Sequence, residues 1–342
     1  VSDDQIDALI ASHEMQLADQ IEAAFLQFLA TVNVDQLASA LDDMGADHIR
    51  AQLAIILDLD DTGTPQVLSD GMGSPGALLA SFVAAVAALA SAQAKHSLNT
   101  NGTALASMRA DAIAMLGRFL ADTATAIGAA IESAIYGSGT PQARAAQLKR
   151  SLGLTVRQGA SLDVMQAALQ HFLDTPRTLT PARTDTAGIR IPPTYTRQAN
   201  TRAILASTRG RISAAQRQLI ARAMANPKLT QADADTLLDG HARAMRHFRI
   251  RAVSSEGIHD LAETGKLTGW RIAQRFGALP ADQRRHWRTA GDERVRHTHA
   301  QVPGMNPGGV PLDQPFNTPF GKRMNAPLEW GCRCKATLGA AH

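Results

Sequence analysis

The 342 residues are too many for one ordinary core and predict two or three domains. Hydrophobic residues at 45% fit a globular chain, but aromatics at only 4% predict alanine-lined helix contacts and a thinly filled core. Two cysteines exclude a secreted disulfide framework, and the net charge of +3 hides an asymmetry: residues 1–182 carry 9 Lys/Arg against 19 Asp/Glu, and 183–342 carry 25 against 12.

Residues 2–57 predict amphipathic helices, with Ile6, Leu9, Ile10, Leu17, Ile21, Phe25, Phe28 and Leu29 at helical spacing and Asn33 as a cap. The opening VSDDQIDALIASHE is acidic where a secretory leader needs positive charge, so a reducing cytoplasm is the expected site of folding. AIILDLDDTGT imitates a phosphatase nucleophile loop through Asp58, Asp60 and Thr62. No alternating βαβ pattern follows it, so an acidic helix end and loop is expected. Residues 58–76 predict turns, and Ala-rich helices follow at 76–97 and 103–136. The stretch 76–94 has the length of a membrane span, yet nearly half of it is alanine, which predicts a buried helix and no membrane partner. Thr140 and Pro141 predict a helix start, and short helices are expected at 141–151 and 154–173. These elements make up an acidic, Ala-rich helical domain over 1–173.

Residues 174–200 hold four prolines and predict a linker or extended arm. A basic helical hairpin is expected over 201–264, from helices at 200–225 and 230–264 with Thr230 as a cap. Residues 183–251 carry 13 basic and 4 acidic side chains. Arg202, Arg209, Arg211, Arg217, Arg222, Arg243, Arg246, Arg249 and Arg251 are the candidate contacts to nucleic acid or an acidic protein surface; an ordinary solvated helix face is the alternative. Residues 265–342 predict a small α+β unit, with a strand near His286 and Trp287, a Pro/Gly-rich loop over 302–328 and a strand at CRCKATL. The fold class expected is therefore mainly α, with a small C-terminal α+β part.

The chemistry concentrates at the end. Cys332 and Cys334 would present both thiols on one face of an extended strand, and His297 and His299 share the same spacing. Sulfur and imidazole are the usual ligands of tetrahedral zinc, which would tie down a unit with little core of its own. Two reduced thiols packed beside a histidine are an alternative, as are a strained disulfide and a Cys–His nucleophile pair. No phosphate loop, Ser-His-Asp order or HExxH appears.

Taken in order, GWRIAQRF, HWRTAGDERVRHTHAQVPG and PLDQPFNTPFGKRMNAPLEWGCRCKATL resemble the phage Mu F-like head morphogenesis family of minor head proteins. The matching positions include Trp287, Asp292, Arg294, Arg296, His299, Gly321, Cys332, Arg333 and Cys334, with Glu256 at an acidic position upstream. Gly331 stands where the family has Asn. The resemblance covers roughly 150–342 and implies a non-enzymatic minor capsid protein of a tailed phage. It would be made in the host cytoplasm and act inside the capsid at the portal vertex, in head assembly and in DNA packaging or ejection. Portal protein, other capsid proteins or further copies of itself, and packaged DNA bound without sequence preference, are the implied partners. The competing expectation is a metal-dependent hydrolase or nuclease centred on His299, Cys332, Cys334 and Asp292.

Overall fold

The structure, a computed structural model, describes residues 3–42, 45–71, 73–93, 103–326 and 332–339. Among the described residues eight helices come first: α1 Asp3–Thr31, α2 Val34–Leu41, α3 Ala46–Ile56, α4 Gln66–Gly71, α5 Gly73–Gln93, α6 Thr103–Tyr136, α7 Pro141–Ser151 and α8 Val156–Asp174. Four two-residue strands follow, β1 Leu179–Thr180, β2 Arg183–Thr184, β3 Arg190–Ile191 and β4 Thr194–Tyr195. Then come α9 Thr196–Ser207, α10 Ala214–Met224 and α11 Gln231–Arg275. The C-terminal part holds β5 Arg284–Arg288, α12 His297–Ala300, α13 Val302–Met305, β6 Val310–Pro311, β7 Phe316–Thr318, β8 Gly321–Arg323 and β9 Lys335–Leu338. The protein is mainly α-helical, with a small C-terminal region of short strands.

The chain forms two compact units, each assembled from separated segments. One comprises Val1–Phe28, Gln66–Ala121 and Phe248–His342; the other comprises Leu29–Pro65 and Asp122–His247. The consecutive boundaries expected from composition at 173, 200 and 264 are therefore not those of the compact units. Composition shifts mark where residue usage changes, whereas long helices such as α6 and α11 supply residues to both units.

The second unit packs α8, α9, α10 and the start of α11 around Leu162, Met165, Leu169, Phe172, Ile220 and Leu238. Its helix starts follow the sequence: Asn33 caps α2, Thr140 caps α7 ahead of Pro141, and Thr155 and Ser213 form capping boxes. Arginines close its helix ends. Arg144 donates to Ala134 O, Ile135 O and Leu41 O; Arg197 donates to Leu173 O and Thr175 O; and Arg246 donates to Arg150 O and Leu152 O. Each guanidinium satisfies carbonyls that a helix C-terminus leaves unpaired.

The single helix expected over 200–225 is broken. Gly210 adopts φ +75°, and Ser213 with Gln216 starts a new helix. The expected linker at 174–200 is paired into a hairpin arm: Leu179 opposes Tyr195, and Arg183 opposes Ile191. Asp185 organises its tip by accepting from Ala187 N and Ile189 N. The phosphatase-like stretch is a loop, where Asp60 accepts from Thr62 N, Thr62 Oγ1 and Thr64 N. That carboxylate is spent on an Asx turn.

In the first unit, α5 buries Leu79, Phe82, Val83, Val86, Ala87 and Ala90, as expected for an Ala-rich core helix. Among the described residues, the one helical stretch long and apolar enough to cross a membrane is Ile113–Tyr136, and 33% of its apolar window is buried. The expectation for 76–94 concerns a described helix up to Gln93; Ala94 lies outside the described residues. α5 and α11 approach closely at two glycines. A Cβ on Gly265 would lie 3.1 Å from Val83 O, and one on Gly269 would overlap Ala87 O. α1 meets α11 through Glu14, which accepts from Ser255 Oγ at 3.0 Å and lies 3.1 Å from His259 Nε2.

Gly269→Ala destabilises the protein by about 1–3 kcal/mol in urea denaturation, because neither backbone can yield. Gly240→Ala, on the same helix with open space around it, stabilises by about 0.4–1 kcal/mol. Burial pushes the Glu14 carboxyl up, but the hydrogen bonds from His259 and Ser255 outweigh it and hold the carboxyl below its ordinary 4.5. Its contribution is therefore present above pH 4.5 and lost as pH falls through the lowered folded value. Glu14→Gln accordingly shows a shallower acid-side fall in its denaturation midpoint than the parent chain.

Candidate metal centre

The C-terminal core is built on the antiparallel sheet β6–β5–β9. Trp287 of β5 is buried opposite Ala336 of β9 and meets Phe316 edge-on, with ring centroids 5.2 Å apart. Beneath the sheet, α11 supplies a buried ion pair, Glu263 with Lys266. Glu263 accepts from Ala336 N at 2.8 Å, and Lys266 Nζ donates to Ala336 O at 2.9 Å. Burial pushes the Glu263 carboxyl up, against the opposing pull of Lys266 and the Ala336 N–H.

The Pro/Gly-rich loop is ordered from within. Asn306 donates to Val302 O and Asn317 O and accepts from Asn317 N. Gly321, at φ +94°, closes the β7–β8 hairpin opposite Thr318. Arg285 is fully buried over the Phe316 ring and donates to Gln314 O at 2.8 Å. Burial, reinforced by Arg271, pushes its guanidinium down to about 10.

Against this frame lie the two thiols. Cys332 and Cys334 are buried, and Arg333 between them points outward, the alternation expected of extended chain. His299, 3% exposed on α12, places Nδ1 3.2 Å from Cys332 Sγ and 3.8 Å from Cys334 Sγ. Arg333 donates two bonds to Asp292, at 2.8 and 2.6 Å. Asp292 also accepts from Arg294 N. The Arg333 hydrogen bonds hold the Asp292 carboxyl below the usual carboxylate range.

Of the four candidate ligands named from the sequence, three come together and one does not. His299, Cys332 and Cys334 come together, with their ligand atoms all within 4.8 Å of one another. His297 does not join them. Residues 297–300 are a helical turn, so His297 and His299 are turned apart by about 200° instead of sharing a strand face. His297 is exposed and within 3.3 Å of Gln301 Nε2. Asp292 is committed to Arg333. His286 is half-buried on β5, its ring 3.0 Å from where a Cβ on Gly309 would sit. Glu256, half-buried on α11, has its carboxyl pushed up by burial first, then by Asp260, with Cys332 adding to the rise. Pro327 and Gly331 lie outside the described residues.

The arginines of the basic segment also divide. Arg202, Arg209, Arg211, Arg222 and Arg243 are exposed and Arg217 is half-buried. Arg246 is spent on carbonyls, Arg249 is buried over Phe119, and Arg251 lies 3.8 Å from Asp19. Nine basic residues in sequence therefore amount to fewer outward charges.

The donor set fits zinc. Two thiolates and one imidazole are among its commonest ligands, and tetrahedral geometry sets N and S about 3.5 Å apart, close to both observed separations. A hydrogen bond shared with Cys332, followed by burial, pushes the Cys334 thiol well up. The Trp287 indole N–H, buried without a partner at bonding distance, pulls that thiol down. An orphaned donor facing sulfur suits a metal-bound thiolate, which would accept from it. Beside the three ligands opens a cleft of about 70 Å³, lined also by Arg294, Arg296 and Arg333. Comparison with family models, curated proteins and solved structures finds no match.

The purified chain is expected to bind one zinc ion, measured by elemental analysis and chelator competition. Cys332→Ser and His299→Ala each lower affinity by at least about 100-fold, and His297→Ala leaves it unchanged. Apparent affinity rises with pH, because the buried thiols must give up protons on binding.

Proposed function

We propose that this chain is a minor head protein of a tailed phage, acting at the portal vertex. In this reading its C-terminal part is tied together by a metal ion. The observation that carries the proposal is the convergence of the ordered motif. Asp292 bonds Arg333, His299 meets both thiols, and Trp287 lies beside Cys334. A motif whose separated members touch is one structural element, and that supports the resemblance drawn from their order. The partners proposed are the portal protein and other capsid proteins or copies of this chain. The exposed Arg202, Arg209, Arg211, Arg222 and Arg243 would contact DNA phosphates without sequence preference, or an acidic protein surface.

A second reading, a metal-dependent hydrolase or nuclease, is favoured by one specific feature. The described ligands number three, and a cleft adjoins them. Structural zinc sites are closed by four protein ligands, whereas catalytic ones keep a position open. Bound zinc would supply Lewis acidity and a water of lowered pKa. The chain's own contribution would be orientation: Arg294, exposed at the cleft, would hold an anionic substrate.

The head-protein reading is tested by mass spectrometry of purified mature particles and by vertex-focused imaging; absence from particles and from assembling heads removes it. DNA contact is tested by filter binding across salt concentrations. The slope of log K against log salt is expected to fall by about 0.9 for each phosphate-contacting arginine replaced by Gln. The hydrolase reading is tested by turnover of phosphodiester substrates. Zinc-loaded protein without turnover returns the site to a structural role.

A further inference from the structure

The hairpin arm over 175–195 belongs to the second unit and is held at its base, where Arg197 donates to Thr175 O and Leu173 O, and Thr196 N donates to Thr178 O. Every residue from Pro176 to Arg190 except Asp185 is exposed. Its strands are two residues long, and a two-stranded hairpin alone is marginal in water. It nevertheless turns apolar side chains outward: Leu179 is 52% exposed, and Ile189, beside the tip, is 64% exposed. Its charges are Arg177, Arg183 and Arg190 against Asp185 alone. Arg177 lies over the Tyr195 ring, and Asp185 is spent on the tip. Pro176, Pro181, Pro192 and Pro193 have no N–H to offer, which disfavours the addition of a further strand along the arm. A partner that covers the arm meets it through side chains, with an apolar surface edged by acid.

The same unit carries such a surface. Residues 33–65 hold seven acidic side chains and one basic one, Arg50, which is paired with Asp47 and Glu132. In the last turn of α3, Ile55 is 78% exposed, and Asp58 and Asp61 are exposed on the loop that follows. That loop is preformed: the Leu59–Pro65 bridge closes it, and Asp60 fills its turn. We infer that the arm docks on the α3 end of a second copy of this chain, with Arg183 and Arg190 facing Asp58 and Asp61 and with Ile189 against Ile55. Opposite charges on the two patches set the register, and the apolar contact supplies burial. Nucleic acid fits the arm less well, because phosphates would leave Leu179 and Ile189 uncovered. Copies of this chain stand among the partners proposed above; the docking itself needs neither a capsid role nor a metal ion.

Sedimentation velocity on the full chain, across protein concentration and salt, tests the contact. Self-association is expected at low salt, weakening at least tenfold in Kd between about 0.05 and 0.5 M salt. The arm variant Arg183→Glu/Arg190→Glu and the patch variant Asp58→Asn/Asp61→Arg each stay monomeric at concentrations where the parent associates. Asn is chosen because it tolerates the φ of +49° at Asp58. An equimolar mixture of the two variants recovers association, since the acidic arm of one then meets the basic patch of the other. Circular dichroism matching the parent's separates a lost contact from a lost fold, and Arg183→Gln/Arg190→Gln replaces the arm variant if the reversal unfolds the chain. A parent monomeric at every concentration, an oligomer that neither variant shifts, or a mixture that stays monomeric overturns the docking. An arm variant that loses DNA retention on filters while its mass matches the parent's assigns the arm to nucleic acid and overturns it equally. Absence of the chain from phage particles would remove the head-protein reading and leave this contact standing.

Discussion

The C-terminal architecture depends on how α11 holds a single residue of β9. Glu263 and Lys266 take the N–H and the C=O of Ala336, so two side chains do the work of a neighbouring strand. The opposite edge of β9 pairs with β5, where Ala336 faces Trp287. With Ala336 held from one side by α11 and β9 paired to β5 on the other, the residues before it have little freedom, and Cys334 is only two positions away. A buried ion pair is a costly way to gain stability, since desolvation offsets most of its attraction. Its use here is positional: a hydrophobic pair of the same volume would fill the space but would bond neither Ala336 group. The loss of one partner alone would strand a buried charge, a cost of about 3–5 kcal/mol.

The same arrangement explains why a metal centre suits this place. Cys332 and Cys334 sit against Trp287, Phe316, Val302 and Ala336, a core assembled from short strands and loops. The hydrogen bond shared with Cys332, and then burial, push the Cys334 thiol up. A divalent cation reverses that balance, and the unpartnered indole N–H of Trp287 favours the reversed state. Arg333 and Asp292 perform a separate task at the surface, tying the segment before α12 to the segment before β9.

Much of this was legible in the residues. The caps at Asn33, Thr140 and Thr230, the Ala-rich helices and the pairing of the CRC thiols with His299 follow from local chemistry. What escaped depended on tertiary surroundings. His297 and His299 match a strand and a helix turn equally well in sequence, and only packing selects the turn. Glu263 and Lys266 look like any solvent-facing i, i+3 pair until the strand lies across them. The break at Gly210 had a visible mark in Ser213-x-x-Gln216, a capping box inside what looked like a continuous helix. The arginines were the most misleading. Guanidinium groups that close helix ends and those that face outward are the same letter, and of the candidate contacts Arg246 and Arg249 turn inward.

One of the two units is stitched from the beginning, the middle and the last part of the chain. Asp7 meets Lys335 at a separation of 328 positions, and Glu14 meets Ser255 at 241. On the ribosome α1 can meet α5 and α6 early, through His13 with Phe82 and Phe25 with Phe119, whereas its polar partners Ser255 and Lys335 are translated only after the other unit is complete at His247. Vectorial synthesis thus imposes a delay on the part that carries the thiols, and the bonds from Asp7 and Glu14 are among the last to close.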